Sequence, residues 1–371
     1  MIICSPQLGM SPKSTLGGEV YDREVLTRLA KLGCQIEVLL PKNKPYDKLI
    51  KNLYVEYAPL RKIFPAYLYG LIIIPYLFKK YRQTKFDILR VHVHFLAFGV
   101  FFFKLFYPKL PVVAHYHLDE DGIMFNIVNK IFLNKCNLII ADSYFLKEKI
   151  IRKFGVFPNK IQVVHCGTDL NIKPGPKDPS IEKKLNLTGK FVFIYMGRLI
   201  ERKRPIFLVE VFNVFHKIYP NSALLIFGKG PLEREIRKKI IQYRLENSIF
   251  LLGLVFGKEK IRYYNTSDAF IFPSINEGFV LVVLEALAAG LPIIATDAVS
   301  FKEAVINGKN GFLVKRDNIK NWVKVMETLT KNTQLAKRMG LNSRKEAETK
   351  FSWDKTAGEV DKSLKDLLFQ K

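Results

Sequence analysis

Several features that define common protein classes are scarce or missing in this sequence of 371 residues. Its four cysteines (4, 34, 136 and 166) stand far apart, so no disulfide framework or zinc site is expected and a reducing cytoplasm fits best. No signal peptide is recognised at the start. The longest uncharged apolar run, residues 63–78, has 16 residues and two prolines, whereas a spanning helix needs about 20. We therefore expect a cytoplasmic protein without a spanning helix.

Familiar catalytic and cofactor motifs are also missing. The sequence has no H-E-x-x-H, G-x-S-x-G or Walker pattern, which argues against zinc proteases, α/β-hydrolases and P-loop enzymes. Gly228-Lys229-Gly230 follows a predicted strand, but a lone G-x-G is not a dinucleotide fingerprint. We expect neither a metal ion nor another cofactor.

Acidic residues are few relative to basic ones: 34 Asp and Glu stand against 59 Lys and Arg, a net charge of +25. Residues 42–90 alone hold eleven basic and three acidic residues, and they include the apolar run. Apolar side chains beside positive charge favour attachment to an anionic membrane surface through residues 63–78. A buried core helix is the alternative for this segment.

The chain length and the order of its elements predict two α/β domains. Short β-branched runs alternate with helical stretches, as in parallel sheets covered by helices. The predicted strands are residues 2–4, 36–40, 88–93, 112–115, 138–141, 162–165, 191–195, 223–227, 249–252, 269–272, 293–295 and 312–314. Residues 171–186 contain three prolines and a glycine and form the best linker. Ligands of such sheets bind at the carboxyl ends of strands, so we expect a cleft there.

Two glutamates mark the end of a strand in the second half. Glu277 lies in a predicted loop before a helix beginning near Phe279, whose free N–H groups could meet an anion. Glu285 lies in an otherwise apolar helix and needs an Arg or a hydroxyl-rich ligand as partner. For either glutamate alone, an ordinary structural ion pair remains the alternative.

Cations and glycines follow other strand ends. Gly197 ends a strand and precedes Arg198 and Lys203, which could clamp a diphosphate without a metal, or form part of a solvated basic loop. Gly17 and Gly18 precede the first helix and could let a ligand approach its backbone, or could only make the loop flexible.

Two histidines end another strand. His115 and His117 precede Asp119, Glu120 and Asp121, so they could act in acid–base chemistry, bind a metal or be structural.

Taken together, these motifs resemble the retaining glycosyltransferases of family 4, which have the GT-B fold. The resemblance covers nearly the whole chain and is most specific in PSINEGFVLVVLEALAAGLPIIATD, residues 273–297. Supporting motifs, in chain order, are GGEVYDREVLTRLAKLG, HCGTDL, MGRLIERK, FGKGPLEREI and NGKNGFLV. The resemblance implies α/β architecture with two Rossmann-like domains facing each other across a cleft. Residues 1–172 would bind the acceptor, 173–350 the nucleotide sugar, and 351–371 would form a helix that returns to the first domain.

The resemblance also implies roles for individual residues. Arg198 and Lys203 would hold the diphosphate of the donor, Glu277 would contact the transferred sugar, and Glu285 would bind the ribose. His117 would lie beside the reacting sugar. The remaining donor contacts would come from the backbone or side chains of Gly17, Gly18, Gly197, Gly278, Phe279 and Val280.

Departures from the family pattern concern the loop before Glu303. Val299-Ser300 replaces the usual glycine pair and Lys302 the usual proline, so Glu303 is not included among the predicted donor contacts. Donor and acceptor identities do not transfer with a fold. We expect a UDP- or GDP-sugar and a glycan or lipid-linked acceptor of the cell envelope. The alternatives are a phosphorylase or epimerase of the same fold and, on charge and aromatic content alone, a nucleic-acid-binding protein; we expect no nucleic-acid partner.

Overall fold

The computed structural model describes residues 1–11, 14, 16–42, 46, 49–58, 68–92, 96–117, 123–275 and 277–369. These divide into two compact units, one of residues 1–167 and 353–371 and one of residues 168–352. Asp119, Glu120, Asp121 and the first part of the apolar run, residues 63–67, lie outside the described residues.

The elements of the chain up to Gly167 follow a β/α alternation. They are β1 Ile2–Pro6, α1 Gly17–Lys31, β2 Gln35–Pro41, β3 Leu53–Ala58, α2 Leu68–Ile72, α3 Ile74–Thr84, β4 Ile88–His92, α4 Ala97–Phe106, β5 Val112–Tyr116, α5 Ile123–Lys135, β6 Leu138–Ala141, α6 Tyr144–Phe154 and β7 Ile161–Val163.

The alternation continues in the rest of the chain. The elements are α7 Pro179–Lys184, β8 Phe191–Met196, α8 Pro205–Ile218, β9 Ser222–Phe227, α9 Glu233–Gln242, β10 Ile249–Gly253, α10 Gly257–Thr266, β11 Ala269–Phe272, α11 Leu281–Ala288, β12 Ile293–Thr296, β13 Gly311–Val314, α12 Ile319–Lys331, α13 Thr333–Lys350 and α14 Trp353–Phe369.

Each unit is built on a parallel sheet in which the strand order reverses next to its first strand. The described strands of the first unit have the order β3-β2-β1-β4-β5-β6-β7, and those of the second the order β10-β9-β8-β11-β12-β13. These are Rossmann-like topologies, so the prediction of two Rossmann-like domains is confirmed. In such sheets the reversal point, here between β8 and β11 in the second unit, is where ligands bind.

Local sequence signals explain several of the element ends. Ser143 caps α6 through its side chain, and Gly155 ends that helix in the left-handed conformation. Gly33 follows α1 with φ +94°, as its position after the apolar stripe of this helix predicts. Strand β3 was not predicted from the sequence, because Glu56 interrupts its short apolar run; it is an edge strand on which Tyr54 and Tyr57 are exposed.

The C-terminal helix α14 belongs to the first unit and packs on α1. Arg28 pairs with Asp354 at 2.7 Å, and the Thr356 hydroxyl donates to the His165 carbonyl at 2.9 Å. On the opposite side of the sheet, α2 to α6 cover a core that includes Leu77, Val100 and Phe103. Across the helices that the structure describes, none is both long enough and apolar enough to traverse a lipid bilayer.

Candidate functional site

In the second unit, the carboxyl ends of β8 and β11 bring Lys203 and Glu277 together. The Lys203 ammonium donates to Glu277 Oε1 at 2.8 Å, and Arg202 reaches Oε2 at 3.2 Å. The Ser274 hydroxyl donates to Oε1 at 2.6 Å. Glu277 is only 8% exposed, and this set of donors compensates the burial of its charge.

Burial also acts on Lys203. Its side chain is 11% exposed, and its ammonium lies 4.9 Å from the centroid of the Phe272 ring. Burial lowers the pKa of Lys203, while the Glu277 carboxylate opposes this shift. One of the three ammonium N–H groups is used by Glu277, so the others can serve a second anion.

Arg198 lies on the loop between β8 and the short 3₁₀ turn Glu201–Lys203. It is exposed, and within the described part of the chain no carboxylate lies within ion-pair distance of its guanidinium. The loop is held by backbone bonds, because Gly197 N–H donates to the Phe227 carbonyl and Leu199 N–H to the Lys229 carbonyl. The cation therefore stands on a fixed backbone at a strand end, and its charge is available to an anion.

Two glycines let the loops after β8 and β9 touch. Gly228 has φ +144°, and a Cβ there would lie 1.9 Å from the Gly197 carbonyl oxygen. A Cβ on Gly230 would lie 2.3 Å from the Leu199 carbonyl oxygen. The G-x-G of this segment thus has a packing role, which was not predicted from the sequence.

Glu285 lies on α11 and is held by two side chains of α10. Lys260 Nζ donates to Oε1 at 2.6 Å and Tyr264 Oη to Oε2 at 3.1 Å, with the Glu285 side chain 19% exposed. Lys260 and Tyr264 are four residues apart and share one face of their helix. Burial, and then the Glu285 charge, raises the Tyr264 pKa well above its usual range. The sequence had suggested an Arg or a ligand as partner; the partner is a lysine with a tyrosine.

The residues just before α11 lie close to these groups in sequence. Gly278 and Val280 are buried, and Phe279 is partly buried against the Phe351 ring. The helix itself begins at Leu281 rather than near Phe279. Further along, residues 299–301 form a short 3₁₀ turn, and Glu303 follows it.

The predicted residues of the first unit lie at two strand ends. Gly17 and Gly18 are the first two residues of α1, after β1. His117 follows β5 and hydrogen-bonds through Nδ1 to Asp142 Oδ2 at 2.5 Å. Asp142 follows β6, the neighbour of β5, so this contact follows from adjacent strand ends, a signal that sequence reasoning did not use.

His115 belongs to a buried network in the first unit. Arg90 is fully buried, pairs with Asp22 at 2.6 Å and donates from Nε to His115 Nε2 at 3.0 Å. Because a guanidinium only donates, His115 Nε2 is an acceptor and the ring carries its proton on Nδ1, 3.2 Å from the Tyr21 hydroxyl. The Tyr21 ring also lies 4.2 Å from the His117 ring, centroid to centroid. Both ring nitrogens of His115 are thus engaged by buried side chains, and a catalytic role stays a prediction for His117.

Among the described residues, His117, Asp142 and Cys166 form a group whose potential metal-binding atoms lie within 4.8 Å of one another. Burial raises the pKa of the Cys166 thiol well above its usual range, and the nearby Asp142 charge adds to the effect. A protonated thiol beside a His–Asp hydrogen bond is a poor metal ligand set. The absence of a metal nevertheless stays a prediction, and among the described residues this is the group that could hold a metal ion.

Two family models match the chain. Residues 16–172 match the model described as Glycosyltransferase Family 4, and residues 177–346 match the model described as Glycosyl transferases group 1. The capsular polysaccharide biosynthesis glycosyltransferase CapM of Staphylococcus aureus is 31% identical over 231 residues. That alignment covers 61% of this chain and 60% of the relative, so the chain spans less than two thirds of it.

Longer alignments are found at lower identity. The UDP-Gal:alpha-D-GlcNAc-diphosphoundecaprenol alpha-1,3-galactosyltransferase of Escherichia coli is 27% identical over 315 residues, covering 80% of this chain and 79% of that protein. Among solved structures, sucrose-phosphate synthase from Thermosynechococcus elongatus aligns with a TM-score of 0.84 at 18% identity and covers 100% of both chains. At that identity the structural likeness shows the fold alone.

Proposed function

Because the chain belongs to the family 4 glycosyltransferases, with models that match both of its halves, we propose that it transfers a sugar from a nucleotide diphosphate with retention of the anomeric configuration. The observation that carries this proposal is the cation set at the reversal point of the second sheet. Arg198 and Lys203 stand where the ligands of such sheets bind, next to the buried Glu277.

The chemistry of the reaction requires such a set. The bond between the anomeric carbon and the diphosphate oxygen breaks, and a bond to an acceptor hydroxyl oxygen forms as that hydroxyl loses its proton. Negative charge develops on the departing phosphate. Arg198 and Lys203 would stabilise this charge without a metal ion, since hydrogen bonds hold the backbone on either side of Arg198 and Glu277 holds the Lys203 ammonium before the donor binds.

The two glutamates are assigned different parts of the donor. Glu277, held by Lys203, Arg202 and Ser274, would accept hydrogen bonds from hydroxyls of the transferred sugar. Glu285 would accept from the ribose hydroxyls, with Lys260 and Tyr264 fixing its orientation. His117 of the first unit stays a predicted catalytic residue, and no nucleophile is assigned.

The names of two relatives support a proposal for the donor and acceptor classes. The Escherichia coli relative is named for a UDP-sugar donor and a diphosphoundecaprenol-linked acceptor, and the Staphylococcus aureus relative for capsular polysaccharide. We propose a UDP-sugar, with a GDP-sugar as the alternative, and a glycan or lipid-linked acceptor of the cell envelope.

A donor screen followed by product analysis tests this function. The purified chain is incubated with UDP- and GDP-sugars and candidate acceptors in EDTA, and nucleoside diphosphate release is followed. We expect release with one donor class and a first-formed product with the anomeric configuration of the donor by NMR. An inverted product would contradict the family mechanism. Loss of activity in EDTA that magnesium or manganese restores would contradict the metal-free charge stabilisation.

A further inference from the structure

One side of the first unit exposes a set of large apolar side chains, here called the α4 face. On α4, Phe98, Phe102, Leu105 and Phe106 are 52%, 43%, 77% and 59% exposed. Their spacing of four, three and one residues places them on one stripe of the helix, while Val100 and Phe103 point into the core. The other members come from the neighbouring helices: Leu71 and Ile72 of α2, and Ile127 and Ile131 of α5.

These three helices are neighbours in the fold, so the residues of the α4 face lie on adjoining elements. Helix α4 contacts both α2 and α5. A Cβ on Gly99 would lie 1.9 Å from the Gly70 carbonyl oxygen, which shows that α2 and α4 touch backbone to backbone. Ile127 and Ile131 are four residues apart on α5 and lie on one side of it. Contiguous apolar surface of this kind is rare on soluble monomers and marks an interaction site.

The charge around the α4 face has one sign. Helices α2, α3, α4 and α5 contain no Asp or Glu, while they contain six Lys and Arg. Lys80 is buried between Glu37 and Glu56, each 3.0 Å from its ammonium, and Lys79 also pairs with Glu56, so neither lysine adds a free charge. Lys109, Lys130 and Lys135 are exposed at or beside the apolar residues of α4 and α5.

This combination of apolar and basic residues favours one of two possible partners of the α4 face, a second copy of the chain or an anionic bilayer. In a two-fold dimer the same surface would meet itself, so its lysines would face lysines without acidic partners. An anionic bilayer instead offers negative headgroups to the lysines and an apolar layer to the phenylalanines and leucines. With no spanning helix among the described residues, such contact would be peripheral.

We propose that the α4 face binds an anionic lipid surface. Of the segment that the sequence suggested for this role, residues 63–78, Leu71 and Ile72 belong to the α4 face. Residues 63–67 lie outside the described residues, and Tyr69, Ile73 and Leu77 are core residues. Lipid binding by the α4 face would bring the enzyme to a lipid-linked acceptor. Only this biological purpose rests on the proposed function; the binding itself does not.

Vesicle sedimentation of the full chain tests the proposal with a matched pair of variants. Leu105→Glu changes a residue of the α4 face that is 77% exposed, and Leu341→Glu changes a residue of α13 in the second unit that is 72% exposed. Both side chains are largely in solvent, so neither change should unfold the protein, which thermal melting checks. The vesicles are pure phosphatidylcholine or phosphatidylcholine mixed with phosphatidylglycerol.

We expect salt-sensitive binding to the phosphatidylglycerol vesicles, weakened at least about tenfold by Leu105→Glu and unchanged by Leu341→Glu. Absence of binding at low salt, equal binding to both vesicle types, or equal effects of the two variants would overturn the proposal. So would a dimer in solution that Leu105→Glu dissociates, since a second copy would then be the occupant. UDP binding, measured by calorimetry on the same samples, reports the proposed function separately.

Discussion

The different environments of Glu277 and Glu285 predict that their loss has different consequences. Replacing each by Gln keeps the shape of the side chain and removes its charge. Hydrogen bonds to a charged group contribute about 1.5–3 kcal/mol, so losing the ribose contact in Glu285→Gln should weaken UDP binding by about 10- to 100-fold. Lys260 loses its ion pair in both the free and the bound state, so that loss largely cancels.

Glu277→Gln should behave in the opposite way. Free UDP carries no sugar, so its affinity should change by less than about threefold, whereas turnover should fall by roughly 10² because the sugar is misplaced. Calorimetry with UDP and initial rates with the donor measure the two effects. Glu327→Gln is the control, since Glu327 pairs with Lys331 at the surface of the second unit and should leave both quantities nearly unchanged. Equal losses of UDP affinity in Glu277→Gln and Glu285→Gln would refute the assignment.

Three further predictions follow from particular contacts. UDP affinity should fall as the pH rises through the Lys203 pKa, because the ammonium loses its charge. Glu277→Gln removes the carboxylate that opposes the effect of burial on this pKa, so the affinity of the variant should begin to fall at a lower pH. Superimposable profiles of UDP affinity against pH for the two proteins would contradict this prediction. Gly228→Ala should displace the Arg198 loop and weaken UDP binding by about tenfold or more, whereas Gly308→Ala, at φ +79° with open space around it, should cost only about 1 kcal/mol of stability and no affinity. Asp142→Asn should lower turnover without changing UDP affinity if Asp142 orients His117, and a loss of UDP affinity alone would contradict that role.

The sequence predicts the sheets well because buried parallel strands are short β-branched runs. Strand β3 was missed because Glu56 interrupts its apolar run, so the segment does not have the pattern of a buried strand. The position of an apolar residue around its helix determines whether its side chain is buried or exposed. Tyr69 and Leu77 are buried in the core, whereas Leu105 and Phe106, which belong to an equally apolar stretch, are exposed.

The partners of the candidate site residues were harder to predict, because they come from separate elements. Lys203 and Glu277 are 74 residues apart in the sequence, and Lys260 and Glu285 are 25 apart on different helices. The family resemblance gave both glutamates a role but no protein partner. Asp142 could have been predicted as a neighbour of His117, because both follow adjacent strands of one sheet.

The central claim is that Arg198 and Lys203 stabilise the diphosphate that departs from a nucleotide sugar. The most direct measurement is the acceptor-dependent rate of nucleoside diphosphate release in EDTA, for the unmodified chain and for Arg198→Ala and Lys203→Ala. Removing one preorganised donor typically costs ~10²–10³ in rate, so each variant should be slowed to that extent while its thermal unfolding still shows a folded protein. Release by both variants at the unmodified rate would contradict the account.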